Sequence, residues 1–201
     1  MDDTQLNSGT SAGPTQNAVR SRMVEGATRL LATRGVEGTS FSEVLAATGS
    51  PRGSLYHHFP GGKSELLHSA LDLASDRGLG AMEATRGQSP EVVVERFLGL
   101  WRMLLERSQL TAGCAVIAVT VAANDEALLE HAGRIFRHWT ELLTELCTET
   151  GGDINAARAL AVTVIAATEG AVALCRAERS TQPFDDVETV LMSLARNLNS
   201  E

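Results

Sequence analysis

The sequence predicts an all-α protein built as a three-helix head followed by a larger helical bundle. Three observations lead there. Apolar residues recur at helical spacing nearly throughout, as Val19, Met23, Ala27, Leu30 and Leu31 do, and no stretch reads convincingly as a strand. Breaks fall at cap-and-proline pairs, Ser50-Pro51 and Ser89-Pro90, which restart a helix at once. Ala, Leu and Val abound while aromatics make up only 4% of 201 residues, a composition that favours helices packed closely through small side chains.

Taken in order, residues 1–16 hold Ser, Thr, Asn, Gly and Pro without an apolar run and are expected to form a disordered tail, not a signal peptide. The first helix stops at Gly35, after Arg34. Ser40-Phe41-Ser42-Glu43 has the form of a capping box, in which the Ser hydroxyl takes one free amide while Glu43 reaches back. Phe41, Val44 and Leu45 then face inward, and Gly49 ends a helix of two turns. Ser50 as N-cap and Pro51 at the first position open the next helix, which closes at Tyr56-His57-His58-Phe59 before the break Pro60-Gly61-Gly62. A longer helix is expected over Lys63–Thr85. Others follow at Glu91–Ser108, Cys114–Ala123, Asp125–Thr150, Asp153–Arg179 and Asp185–Asn199. Periodicity alone would allow a buried strand over Ala112–Ala123, but nothing else in the chain could pair with it. The expected division is a tail at 1–16, a head at 17–62 and a body at 63–201.

Charge separates the two parts. The net charge is −8, yet residues 17–63 carry six basic groups against three acidic ones, and residues 64–201 carry a net of −9. A basic head on an acidic body suits a protein that touches nucleic acid with one end. Cys114, Cys147 and Cys175 are odd in number and lack a CxxC spacing, which points to reduced thiols in the cytoplasm, without disulfide or zinc. Cys114 reads as a buried, inert thiol. The strongest membrane candidate, Ala159–Cys175, is short for a bilayer and carries Glu169, so it reads as a core helix. Gly61-Gly62-Lys63-Ser64 resembles the end of a phosphate loop, but the first required glycine falls at His57 and a helix precedes it. His57 and His58 point to different sides of a helix, and His131 and His138 are two turns apart, so no metal or cofactor is expected.

The informative stretch is Thr39–Lys63. Two short helices joined by a tight glycine-containing turn form a helix-turn-helix, whose second helix enters the major groove. In that helix Leu55 and Phe59 can pack inward, leaving Arg52, Ser54, Tyr56 and His57 outward. Arg suits a guanine edge, while Ser, Tyr and His donate to phosphates, and Gly53 lets the backbone approach the duplex. Thr39-Ser40-Phe41-Ser42-Glu43-Val44 and Gly49-Ser50-Pro51-Arg52-Gly53-Ser54-Leu55-Tyr56-His57-His58-Phe59 resemble the N-terminal domain of the TetR family. The resemblance covers about Val19–Leu67. It implies phosphate contacts at Ser40, Ser54, Tyr56, His57 and Lys63, and base contacts at Arg52 and Gly53, with Pro51 also at the DNA. Ser42 stands where the family often has Arg or Lys. The long linker Phe59-Pro60-Gly61-Gly62-Lys63, the Pro51–Leu55 run and Gly113-Cys114 resemble the LmrA/YxaF-like subgroup.

The resemblance also assigns the body to effector binding and dimerisation. The helix over Asp153–Arg179 is apolar nearly all round and requires burial on two sides. Leu160, Val164, Ala167, Ala171 and Leu174, with Val187, Leu191 and Leu194 of the last helix, are the expected homodimer interface. Trp101, Leu105, Cys114, Ile117, Phe136, Trp139 and Thr168 are the expected lining of a pocket for an apolar or aromatic effector. Glu169, a lone carboxylate in an apolar helix, requires a partner: it either pairs with an Arg or polar group across the dimer, which is favoured, or orients a ligand. The expected function is a ligand-responsive repressor, without catalysis and without a membrane, that holds double-stranded operator DNA as a dimer and lets go when a small molecule binds. A small helical enzyme or lipid-binding module is the alternative, and the basic head speaks against it.

Overall fold

The computed structural model describes residues 14–198, with side chains from residue 17. Most of the expected tail, and Asn199 at the end of the last expected helix, lie outside the described residues. Nine helices run through the described chain: α1 (Pro14–Arg34), α2 (Phe41–Thr48), α3 (Arg52–His58), α4 (Gly62–Glu83), α5 (Pro90–Arg107), α6 (Ala115–Ala122), α7 (Glu126–Thr148), α8 (Ile154–Glu178) and α9 (Gln182–Asn197). Thus α1 begins three residues inside the segment read as a tail. Within the apolar run Ala112–Ala123, residues 115–122 form a helix, α6. The last helix starts three residues earlier than expected, because Pro183 lies in its first turn, where a missing amide costs nothing.

Two helix starts differ from the expected caps. Ser40 does cap α2, accepting from the Glu43 amide at 3.2 Å, but Glu43 does not return the bond. Its carboxylate accepts instead from Arg34 Nη1 at 2.7 Å, a charged partner outbidding a neutral amide. Ser50 does not cap α3. Its hydroxyl accepts from Thr48 at 3.0 Å, and Pro51 itself occupies the N-cap position with extended ψ.

The head is sealed by Met23, Ala27 and Leu31 of α1, Val44 of α2, and Leu55 and Phe59 around α3, each exposed by 1% or less. Gly49 closes α2 in the left-handed conformation (φ 63°), which a β-carbon would penalise, and this sets the tight turn between α2 and α3. Arg20 lies over the Phe59 ring at 5.0 Å and donates to Ser69 at 3.0 Å, joining the head to α4.

In the body, α7, α8 and α9 pack side by side, with α5 against α9. Arg102 ties α5 to α9 through Asp185 at 2.7 Å and through Glu188. Arg86, beyond the end of α4, gathers Glu83, Glu145 and Glu149. The stretch at His68 joins α4 to α7: its ring stacks on His131 at 4.8 Å, and His131 Nε2 meets Asp72 at 2.7 Å.

α8 is long and apolar enough to cross a membrane by length and composition alone, with mean hydropathy 1.6 in its most apolar window, 44% of which is buried in the fold. Its two faces differ from the expected assignment. Leu160, Val164 and Ala171, with Leu191 of α9, are at most 6% exposed and belong to the protomer's own core. They are therefore unavailable to a second subunit. Ala167 and Val187 are half-buried, while Leu174 and Leu194 are open. The outward ridge of α8 is instead Ala159, Val162, Ala166, Gly170, Ala173 and Leu174.

Candidate nucleic-acid interface and ligand cavity

The start of α3 is an exposed part of the head. Pro51, Arg52, Gly53, Tyr56 and His57 all face solvent, and a β-carbon at Gly53 would meet open space. Tyr56 is 72% exposed, yet its ring is placed: it meets Phe41 edge to face at 5.9 Å, so α2 aims the phenol of α3 outward. Arg52 has its planar fork free for two parallel bonds to one base edge. Ser54 is half-buried and donates to Pro51 O at 2.7 Å, which stabilises the first turn of α3. Ser40 and Ser42 share a hydrogen bond at 2.8 Å at the start of α2, so the two hydroxyls form one polar corner next to α3. Burial, with the charges of His57 and Arg20, lowers the pKa of His58.

Lys63 departs from the expected arrangement. It is half-buried, and its ammonium donates to the Val36 carbonyl at 2.9 Å, closing the turn after α1. Its first structural duty is to brace the head.

A cavity of about 290 Å³ lies where the head meets the body. Of the expected lining residues, Trp101, Cys114 and Trp139 wall it. Leu105 and Thr168 are fully buried and do not line it, and Ile117 and Phe136 border a separate recess. Sequence reasoning missed a whole wall: Thr28 and Ala32 from α1, and Ala74, Gly78 and Met82 from α4. A signal was available in Gly78, a glycine in the interior of α4 whose β-carbon would meet open space. The remaining lining is mostly carbon, including Phe97, Leu100 and Leu104. Trp139 Nε1 is already satisfied by Ser75 at 3.2 Å. The Cys114 thiol is held well above its ordinary pKa by burial and by the nearby Glu169, so it is a protonated, unreactive group.

The cavity and the head are one mechanical unit. Arg77 at the cavity mouth pairs with Glu25 of α1 at 3.2 Å, and Ser64 in the first turn of α4 donates to Asp125, the N-cap of α7, at 2.9 Å. A groove-reading helix whose own domain helps to wall an apolar cavity is the design of a one-component regulator, in which the sensor and the DNA reader share a chain.

The chain belongs to the TetR family. Residues 23–70 match the family model for bacterial regulatory proteins of the tetR family, and residues 90–190 match that for the C-terminal domain of LmrA/YxaF-like transcriptional regulators. An HTH-type transcriptional regulator of Mycobacterium tuberculosis is 33% identical over 182 residues, covering 87% of this chain and 93% of the relative. The HTH-type transcriptional regulator LmrA of Bacillus subtilis is 25% identical over 183 residues, covering 88% and 96%. Among solved structures, a TetR transcriptional regulator from Chloroflexus aurantiacus superimposes with a TM-score of 0.74 at 26% identity, over 90% of this chain and 96% of that one. Proteins of this family are ligand-responsive DNA-binding repressors, and this chain is a transcriptional regulator of that kind.

Proposed function

We propose that this regulator acts as a cytoplasmic homodimer, away from any membrane and without catalysis. Arg52 reads a base edge, and Pro51 and Gly53 bring the backbone to the groove floor. Ser40, Ser42, Ser54, Tyr56 and His57 anchor to phosphates. The head (residues 17–62) reads DNA, and the body (residues 63–201) dimerises and holds the effector. The dimer forms through the outward ridge of α8 and the open residues of α9, Val190 and Leu194, since these leave an apolar surface uncovered in the protomer.

The effector is a small apolar or aromatic molecule. The observation that carries this is the cavity walled by Trp101, Phe97 and Trp139 on one side and by Thr28 and Ala32 of the DNA-binding head on the other. A ligand that fills it presses on α1 and α4 together. It therefore favours one separation of the two heads over another, and two recognition helices must match successive major grooves. A helical enzyme or lipid carrier would leave the exposed face of α3 without a purpose.

The test is a gel shift on the DNA flanking the protein's own gene, repeated with a panel of one- and two-ring aromatic compounds. The expected result is a specific complex, released by some members of the panel. A complex that no apolar compound disturbs, while a charged metabolite releases it, would overturn the assignment of the effector.

A further inference from the structure

Charge reaches the main cavity at one point. Among the described residues that line it, Arg77 alone is charged, and the wall is otherwise mostly carbon. The Thr28 hydroxyl is spent on the carbonyls of Val24 and Ala70, at 2.9 and 3.1 Å, and Trp139 Nε1 on Ser75. Arg77 is different. Its guanidinium carries five donors in a planar fork, yet its bond to Glu25 of α1 uses one nitrogen, at 3.2 Å. Bonds between a guanidinium and a carboxylate run nearer about 2.7–2.9 Å. Both side chains are about half exposed, so the pair is loose and screened by solvent.

Loose as it is, the pair stands on the seam that the cavity occupies. Thr28 and Ala32 follow Glu25 along α1 and line the cavity, as do Ala74 and Gly78 on either side of Arg77 in α4. We infer that the effector is a monocarboxylate with an apolar or aromatic body: its carboxylate takes the Arg77 fork at the mouth, its body fills the cavity, and Glu25 is displaced as it binds. This rests on reading the cavity as the effector site.

The exchange favours the ligand for a geometric reason. A free carboxylate can meet the guanidinium through two parallel bonds, whereas Glu25 makes one. Glu25 is already half exposed, so it returns to water without a large penalty. One cation, with Glu25 close by, suits a single negative charge better than two. The cavity of about 290 Å³ suits one ring on a short chain. A neutral ligand of the same shape fills the cavity and leaves the tie between Glu25 and Arg77 in place. An acid fills it and cuts that tie between the head's first helix and α4. By reciprocity, loosening the tie in advance must tighten the acid.

The experiment is titration of the full-length protein with 4-phenylbutyrate and with the neutral 4-phenylbutan-1-ol, followed by the emission of Trp101 and Trp139, which both line the cavity. We expect both compounds to bind, the acid about tenfold more tightly. Arg77→Gln should remove that preference and leave alcohol binding unchanged, which also shows that the variant is folded. Glu25→Gln should shift the acid the other way, to tighter binding than in the wild type, again with the alcohol unchanged. Two opposite shifts from the two halves of one ion pair are not what a purely structural pair gives. Equal binding of acid and alcohol, full acid affinity in Arg77→Gln, or weaker acid binding in Glu25→Gln would overturn the carboxylate. In each of those cases alcohol binding that is lost in Gly78→Leu leaves the effector reading standing. If neither compound alters the emission of the wild type, the effector reading itself fails, and the carboxylate with it.

Discussion

The amide of Gly113 donates to the carbonyl of Ala32 at 2.7 Å, and both residues wall the same cavity. Ala32 lies in the last turn of α1, where carbonyls have no acceptor duty within their own helix. The entry to α6 supplies the missing donor, and Arg176 of α8 adds a second, longer bond to Thr33 O at 3.5 Å. The end of the head's first helix is thus capped by the wall of the cavity. Pressure on that wall is pressure on the head.

The cavity can be tested at Gly78, where an added β-carbon meets open space. Gly78→Ala should stabilise the protein by about 0.5–1 kcal/mol in thermal melting, since glycine inside a helix carries that penalty. Gly78→Leu should fill the cavity. Both tryptophans of the chain, Trp101 and Trp139, line it. Aromatic compounds should therefore change the tryptophan emission of the wild type and not of Gly78→Leu, with DNA binding kept in both.

Lys63 offers a different outcome from a pure phosphate contact. Its bond to Val36 O is charge-assisted but half-exposed, so Lys63→Ala should lower stability by about 1 kcal/mol in denaturant unfolding. DNA affinity should fall in step with that loss. A large change in the salt dependence of binding without any loss of stability would return Lys63 to the phosphate backbone.

The two faces of α8 should separate folding from assembly. Val164 is 1% exposed, so Val164→Asp should cost about 3 kcal/mol or more through an unpaired buried charge and lower helicity. Leu174 and Leu194 are 51% and 45% exposed. Leu174→Glu with Leu194→Glu should leave the circular dichroism spectrum unchanged and yield a monomer in sedimentation, with operator affinity lost.

Acid should loosen the joint between α4 and α7. Burial, then the facing His131, lower the His68 pKa. A histidine whose folded pKa lies below its unfolded value of 6.5 binds its proton more readily when the protein opens. The stability it contributes is complete above that value and is lost as pH falls below it. Amide protection in α4, corrected for the intrinsic slowing of exchange towards acid, should fall between neutral and mildly acidic pH, and His68→Gln should flatten the response.

Much of this was legible in the sequence because it was local. Leu55 and Phe59 four apart, the Gly49 turn and the cap at Ser40 are short-range facts, and they place α2 and α3 with their outward residues. The body was read less well where the answer depends on how helices meet. α8 is apolar on both faces, so periodicity does not say which one the protomer itself buries, and Val164, expected at the dimer interface, lies inside. The cavity wall from α1 and α4 is made of Thr28, Ala32 and Gly78, small residues with no pattern of their own. Ser50 precedes a proline, which predicts a cap, and the competing bond from Thr48 is visible only in three dimensions.

The most direct test of a dimeric helix-turn-helix reader is to let the purified protein select from a pool of random double-stranded DNA, alongside its Arg52→Ala variant. The wild type should enrich an inverted repeat whose half-sites lie on one face of the duplex, with affinity falling steeply as salt rises. Arg52→Ala should cost about 1–3 kcal/mol and relax preference at one position in each half-site, while Tyr56→Phe should weaken all sequences alike. An unenriched pool, or a single unrepeated site bound equally well by Arg52→Ala, would contradict it.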